Sequence, residues 1–274
     1  VAALLSIYGV VIIFWGIFKQ NGTALTTWAE SYTDRELPAA MVAPAKQLGM
    51  VQDVTLTKDT ITLTDEQFRA VKAADGKVAK TYDFPSYYRN LPRDHWPEEG
   101  GTTHLLSTEI FQSINPFFVV ALTPLVVAAF AFLRRRNKEP STPGKIFLGL
   151  LITALSTLLM VGAVYAGGNG AEKVSGWWLV GTYGVITIGE LCLSPMGLSL
   201  VSKLSPPRIT ALMMGGWSLA TSIGNKMSGV LASLWDSYSH KASFFWVNCV
   251  VSLIAALAIL AMLKWLRKIV AEHT

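Results

Sequence analysis

The stretch Ile-Gly-Glu-Leu-Cys-Leu-Ser-Pro-Met-Gly-Leu-Ser-Leu-Val-Ser-Lys-Leu-Ser-Pro-Pro occupies residues 188–207. Most of it reads as the second half of an apolar helix over 176–203. Glu190 stands inside that helix, and no Lys, Arg or His occurs from 180 to 200. An ionised side chain at the centre of a membrane helix costs about 2.5–3.5 kcal/mol on insertion scales, so such a residue usually faces a polar cavity or a partner. Pro195 removes a backbone donor and predicts a kink nearby. Pro206 and Pro207 end the helix, because the residue before a proline is driven out of helical geometry. A carboxylate beside a kink and ahead of a firm stop marks this helix as functional. The plainer reading is an acid that only pairs with a neighbouring helix.

The remaining sequence places that helix in a membrane. Of 274 residues, 51% are hydrophobic and 15% charged, against about 25% charged in soluble domains. The mean hydropathy is +0.41. Apolar stretches over 1–29, 109–133, 146–165, 176–203, 208–235 and 244–266 are each long enough for a hydrocarbon core about 30 Å thick. The net charge of +5 does not point to nucleic acid, because the basic residues gather at the ends of the apolar runs. Arg134, Arg135, Arg136, Lys138, Lys145, Lys203, Arg208, Lys264, Arg267 and Lys268 would share one side, and the opposite short turns hold only Lys173 and Lys241. Positive-inside bias then predicts a multi-pass protein of the cytoplasmic (inner) membrane with both chain ends cytoplasmic and an extracytoplasmic insert over 34–106. Val1 already lies in an apolar run without a charged region ahead of it, so the chain is read as a piece that begins at a membrane span. Cys192 and Cys249 sit in apolar stretches as small hydrophobes.

Within the insert, the alternation from Val54 to Thr64 on both sides of Lys58-Asp59 predicts a β-hairpin. Thr64 as N-cap, with Gln67 at the capping-box position, predicts a short helix to about Ala74. Residues 82–97, rich in Pro, Tyr and Trp, are expected to form an ordered loop. His95 and His104 are too far apart for a short metal motif, so no metal is expected.

His95, His104, His240 and His273 all fall outside the spans, which excludes a histidine relay or a histidine-held haem inside the bundle. No phosphate-binding glycine loop, nucleophile elbow or zinc motif occurs, so hydrolytic enzyme readings lose most of their support, and neither an enzyme nor a cofactor is expected. What remains inside the spans is a short set of polar groups. Lys19, Gln20 and Asn21 lie on the first span, read as one long helix over 1–29 that holds Lys19 inside the membrane; the alternative is a helix that ends at Phe18 with Lys19 snorkelling at the surface. Gln112 and Asn115 lie ahead of Pro116 on the second span, and Glu190 on the fourth. Trp217, Ser218, Thr221, Asn225 and Lys226 lie on the fifth. The third and sixth spans read as scaffold. Polar groups on two helix pairs around a cavity are the pattern of a three-plus-three transporter repeat. Gly215, Gly216 and Gly224 would let helices approach closely. A membrane-anchored binding module working through the insert is a different reading, but an apolar anchor needs neither Glu190 nor Lys19.

Gly189-Glu190 followed by Ser194-Pro195-Met196-Gly197-Leu198 resembles the tenth-helix signature of the proton-dependent oligopeptide transporters, a branch of the major facilitator superfamily. Phe14-Trp15 and Gln20-Asn21-Gly22-Thr23 resemble that family's seventh helix, Asn115-Pro116 its eighth, and Gly216-Trp217 with Gly224-Asn225 its eleventh. The resemblance implies an all-α membrane protein, a six-helix bundle like the C-terminal half of a major facilitator transporter, carrying an extracytoplasmic insert. It implies proton-coupled uptake of di- and tripeptides, with peptides, protons, the N-terminal six-helix half and the lipid bilayer as partners. A related carrier for another small solute is the nearest alternative. By the same resemblance Asn115 and Glu190 would contact the peptide, Glu190 through its amino terminus. Trp217 and Thr221 would line side-chain pockets, and Trp15 would line the cavity. Ser218 stands where the family often has an aromatic, which implies a wider pocket. Proton coupling or ion pairing would fall to Glu190, Lys19 and Gln20. Lys19 stands where the family often has an acid, so the usual ion pair with an N-terminal-half arginine is not carried over.

Overall fold

The computed structural model describes residues 2–273; Val1 and the side chains of Asn21 and His273, which the sequence reading touches, lie outside the described residues. The chain forms helices α1 (Ala2–Phe18), α2 (Ala24–Ser31), α3 (Ala39–Gln47), α4 (Thr108–Arg135), α5 (Thr142–Ala166), α6 (Trp177–Leu204), α7 (Thr210–Ser233) and α8 (Lys241–His273). Short strands are β1 (Thr33–Asp34), β2 (Val51–Thr55), β3 (Asp59–Thr62), β4 (Lys80–Asp83), β5 (Thr102–Leu106) and β6 (Val174–Ser175). The bundle is helical throughout, and the strands belong to the insert and the α5–α6 connection.

Helices α4, α5 and α6 and the Lys241–Val270 part of α8 are each long and apolar enough to cross a membrane. Helix α1 is apolar but only 17 residues long. Helix α7 carries Ser218, Thr221, Ser222, Asn225 and Lys226 along its middle, which makes it the more polar member of the set. Helix α1 packs along α7, α4 along α6, and α5 against both α6 and α8. Two seams depend on glycine. A Cβ on Gly149 of α5 would lie 2.8 Å from the Gly189 carbonyl of α6, and one on Gly189 would lie 2.9 Å from the Gly149 carbonyl. A Cβ on Gly224 of α7 would lie 2.6 Å from the Trp15 Cβ and 2.8 Å from the Ile12 carbonyl of α1. The absent side chain is what lets these backbones touch. Gly216 lies under the Tyr8 ring, whereas Gly215 meets nothing.

The first span is not one continuous helix over 1–29. After α1 the chain tightens into a 3₁₀ turn at Lys19–Gly22 before resuming as α2. Gln20 explains the break. Its buried amide donates to the Gly16 carbonyl and to the Ser228 carbonyl of α7, at 3.3 and 3.2 Å. The local tie to α7 competes with a regular helical ladder, and Gly22 adds little resistance.

The insert also departs from expectation in two places. The strands flanking Lys58-Asp59 form, but they do not pair with each other: β2 pairs antiparallel with β5, and β3 with β4. Lys58-Asp59 lacks the left-handed residues of a tight hairpin turn, and Leu56 is instead bonded on both sides to the Gly100-Gly101 backbone. No helix forms from Thr64 to Ala74. The Asp65 carboxylate accepts the backbone N–H groups of Gln67 and Arg69, at 2.9 and 3.0 Å, and Phe68 takes a positive φ of 60°. A side-chain acceptor that captures local N–H groups favours a turn over a helix. The insert has its own small core of Leu56, Tyr87, Tyr88 and Leu105.

Contacts at the two ends of the bundle separate its faces. At one end, Glu139 in the α4–α5 connection pairs with Arg134 and Lys145, both at 2.6 Å, and Arg267 of α8 donates to Ser141. These two cations hold the Glu139 carboxyl far below the ordinary range, at about 2. At the other end lie the insert, the β1–β6 pairing and the α5–α6 connection.

Candidate functional site

Glu190 and Asn115 meet between α6 and α4. The Asn115 Nδ2 donates to the Thr187 Oγ1 at 2.9 Å and to the Glu190 Oε2 at 3.3 Å. Thr187 is fully buried and donates in turn to the Tyr183 carbonyl at 2.6 Å. The local sequence makes this meeting possible. Thr187 and Glu190 are three apart on one helix and so share a face, and Asn115 precedes Pro116 on the facing helix. Pro195 is accommodated inside α6, which runs on to Leu204 before Pro206-Pro207.

Lys19 approaches the same region from the break after α1. Its ammonium lies 5.4 Å from the centre of the Trp15 ring and 5.8 Å from that of Phe18. It is also within electrostatic reach of the Glu190 carboxylate. A cation over aromatic faces gains about 0.5–2 kcal/mol, more as water is removed. Trp15 is half-buried, and its indole N–H has no acceptor among the described residues.

Helix α7 packs an aromatic ring onto α6. Trp217 is buried, stands edge-on to Tyr8 with ring centres 6.4 Å apart, and covers Gly197 of α6 so closely that a Cβ there would lie 2.0 Å from its ring. Tyr8 donates to the Met213 carbonyl at 2.6 Å and fixes the pair. Thr221 and Ser218 donate to carbonyls one turn back in their own helix, at 3.1 and 3.4 Å. Ser218 is exposed and Thr221 half-buried.

The structure therefore joins Asn115 to Glu190 directly, brings Lys19 and Trp15 together at the α1 break, and pins Trp217 to α6. Gln20 faces the α1–α7 seam with its amide hydrogens committed to backbone. Ser218 and Thr221 make no hydrogen bond to the Asn115–Glu190 pair. Thr187 and Tyr8 belong to the arrangement and were not expected from the sequence. The three-residue spacing of Thr187 from Glu190 was the available signal for the first, and nothing in the chain order pointed to the second. Among the described residues no cluster of His, Cys, Asp and Glu could hold a metal ion.

Known proteins share this arrangement of elements. Peptide transporter YePEPT of Yersinia enterocolitica is 33% identical over 161 residues, covering 58% of this chain and 31% of the relative. Dipeptide and tripeptide permease A of Proteus mirabilis is 39% identical over 127 residues, covering 46% of this chain and 25% of the relative. The chain thus spans about a third or less of the length of the curated relatives it matches. A crystal structure of a POT family transporter in complex with a thioalcohol conjugated peptide superposes with a TM-score of 0.65 at 23% identity, over 97% of this chain and 41% of that one. At that identity the likeness speaks for the fold. The sequence profile of the POT family matches residues 98–247, more than half of the chain and the part that carries Asn115, Glu190 and Trp217. With that match, and with the bundle it describes in place, the chain belongs to the POT family.

Proposed function

We propose that this chain is the C-terminal six-helix half of a secondary transporter that couples a proton gradient to uptake of di- and tripeptides across the cytoplasmic membrane. The spans are 1–29, 109–133, 146–165, 176–203, 208–235 and 244–266, with both ends cytoplasmic and 34–106 extracytoplasmic. The N-terminal six-helix half completes the cavity. The observation that carries this reading is the Glu190 carboxylate held, among the described residues, against a single amide between two apolar helices. One amide leaves most of its acceptor capacity for a ligand. A peptide's ammonium group is the matching donor, and the contact gains strength where water is scarce. The names of the relatives support peptides as the substrate class. In this reading Lys19 modulates the charge of Glu190, Gln20 holds the break that places Lys19, and Trp15, Trp217, Thr221 and Ser218 form the walls.

Competition binding of free and N-acetylated dipeptides to the reconstituted full-length protein tests the reading. Glu190→Gln should weaken free dipeptides by about 2–5 kcal/mol, as when one partner of a buried charge pair is removed, and acetylated ones much less. Equal losses would remove Glu190 from the amine site. Cysteine at Ser141 should be labelled only from the cytoplasmic side and cysteine at Ala79 only from outside; the reverse would overturn the orientation.

A further inference from the structure

We propose that Thr187 is a positioning residue that fixes which end of the Asn115 amide faces the ligand. This rests on the amine-site reading of Asn115 and Glu190. A carboxamide has a donor end and an acceptor end, and neighbours decide which way it points. Two neighbours make that decision here: the Glu190 carboxylate, which can only accept, and Thr187, the one of the two that a ligand does not engage. Its hydroxyl lies 2.6 Å from the Tyr183 carbonyl, which can only accept, so the Thr187 hydrogen is committed to its own helix. The oxygen left over can only accept. Asn115 must then present Nδ2 to it, at 2.9 Å, and the second Nδ2 hydrogen goes to Glu190 Oε2 at 3.3 Å. Oδ1 becomes the end available to a ligand.

The consequence is chemical. A peptide ammonium entering beside Glu190 meets acceptors from both residues and no opposing donor. If the amide turned over, its N–H groups would face the ammonium and the carboxylate would lose its hydrogen bond. Thr187 touches no ligand in this arrangement; it acts through Asn115. Its burial is complete, so water does not compete with Asn115 for the Thr187 oxygen.

The test uses the full-length protein in vesicles, with the ratio of affinities for a free and an N-acetylated dipeptide as readout. Thr187→Val keeps the shape but removes the acceptor, and should reduce that ratio about tenfold, the scale of one misplaced buried hydrogen bond. Thr187→Ser restores the acceptor and should keep the parent ratio. In an Asn115→Ala background Thr187→Val should change the ratio no further. Thr187→Ala carries the same expectations if the valine variant does not reach the membrane. A parent-like ratio in Thr187→Val, or an equal loss in Thr187→Ser, overturns the proposal. A parent ratio of one that Glu190→Gln leaves unchanged fails differently: it overturns the amine site itself, and Thr187 with it.

Discussion

At the junction of insert and bundle, Arg35 and Lys173 are covered by groups of the chain itself, whereas Glu190 between α4 and α6 meets a single amide among the described residues. Arg35 is buried and donates to the Leu106 carbonyl at 2.6 Å and to Gln52 at 3.2 Å. Lys173 donates to the Ser31 carbonyl at 3.1 Å and lies 4.3 Å from the centre of the Tyr87 ring. The Asn90 amide converges on the same Ser31 carbonyl at 3.0 Å. Both regions take charge out of water, but the junction's cations donate to groups of the chain, whereas the charged group between α4 and α6 accepts from one amide. A cation that finds its partners inside the chain is there to hold elements together. A carboxylate given one amide keeps acceptor capacity for a further donor.

Paired substitutions break or support this contrast. Glu190→Gln should leave thermal unfolding nearly unchanged while free-peptide affinity falls by about 2–5 kcal/mol. Arg35→Leu should do the reverse, costing about 1.5–3 kcal/mol of stability through lost hydrogen bonds from a charged donor, with affinity within twofold of the parent. Denaturation and ligand titration on the same samples decide between them. A Glu190→Gln protein that unfolds early but binds normally would make Glu190 the structural charge, and the contrast would be lost.

Gly197→Ala sharpens the bundle side of the comparison. An added Cβ would occupy the space of the Trp217 ring, 2.0 Å from its nearest atom. Overpacking of this kind costs about 1–3 kcal/mol. Because Trp217 also leans on Tyr8, the displaced ring should change tryptophan fluorescence. Unchanged emission together with unchanged stability would mean that Trp217 has another position open to it.

The same contrast separates what the sequence disclosed from what it hid. Glu190 and Asn115, which the structure joins by a hydrogen bond, stand out in the sequence because a polar group in an apolar helix has few reasons to be there. The helices α4, α5, α6 and α8 were legible from length and hydropathy. A helix ending at Phe18 is legible only as the less favoured of two readings, since the interruption follows from Gln20 reaching a carbonyl of α7, more than two hundred residues away. The pairing of β2 with β5 was hidden for the same reason: alternation marks a strand, but not the partner it finds. Thr187 was overlooked because a threonine in a membrane helix usually bonds its own backbone. This one does so, and accepts from α4 as well.

The smallest expected effect is at Lys173, and it tests whether the junction is dry. Burial, and then the charge of Arg35, lower the ammonium's pKa from 10.5 to about 7, while Asp34 acts in the opposite direction. Released into water, the group would titrate near its ordinary value again. The docked arrangement therefore holds a proton less tightly than the undocked one, and its stability falls as pH drops from about 10.5 towards about 7 and levels off below. Comparing the parent with Lys173→Met cancels every other titration in the protein. The parent's thermal midpoint should rise relative to the variant's between about pH 7 and pH 10. The slope should stay well under one proton, because Lys173 is only partly covered and a long side chain can carry its charge out to water. A gap between the two proteins that does not vary with pH would show a solvated ammonium. The junction would then owe its hold to Arg35, Asn90 and the β1–β6 pairing, and Lys173 would drop out of the comparison with Glu190.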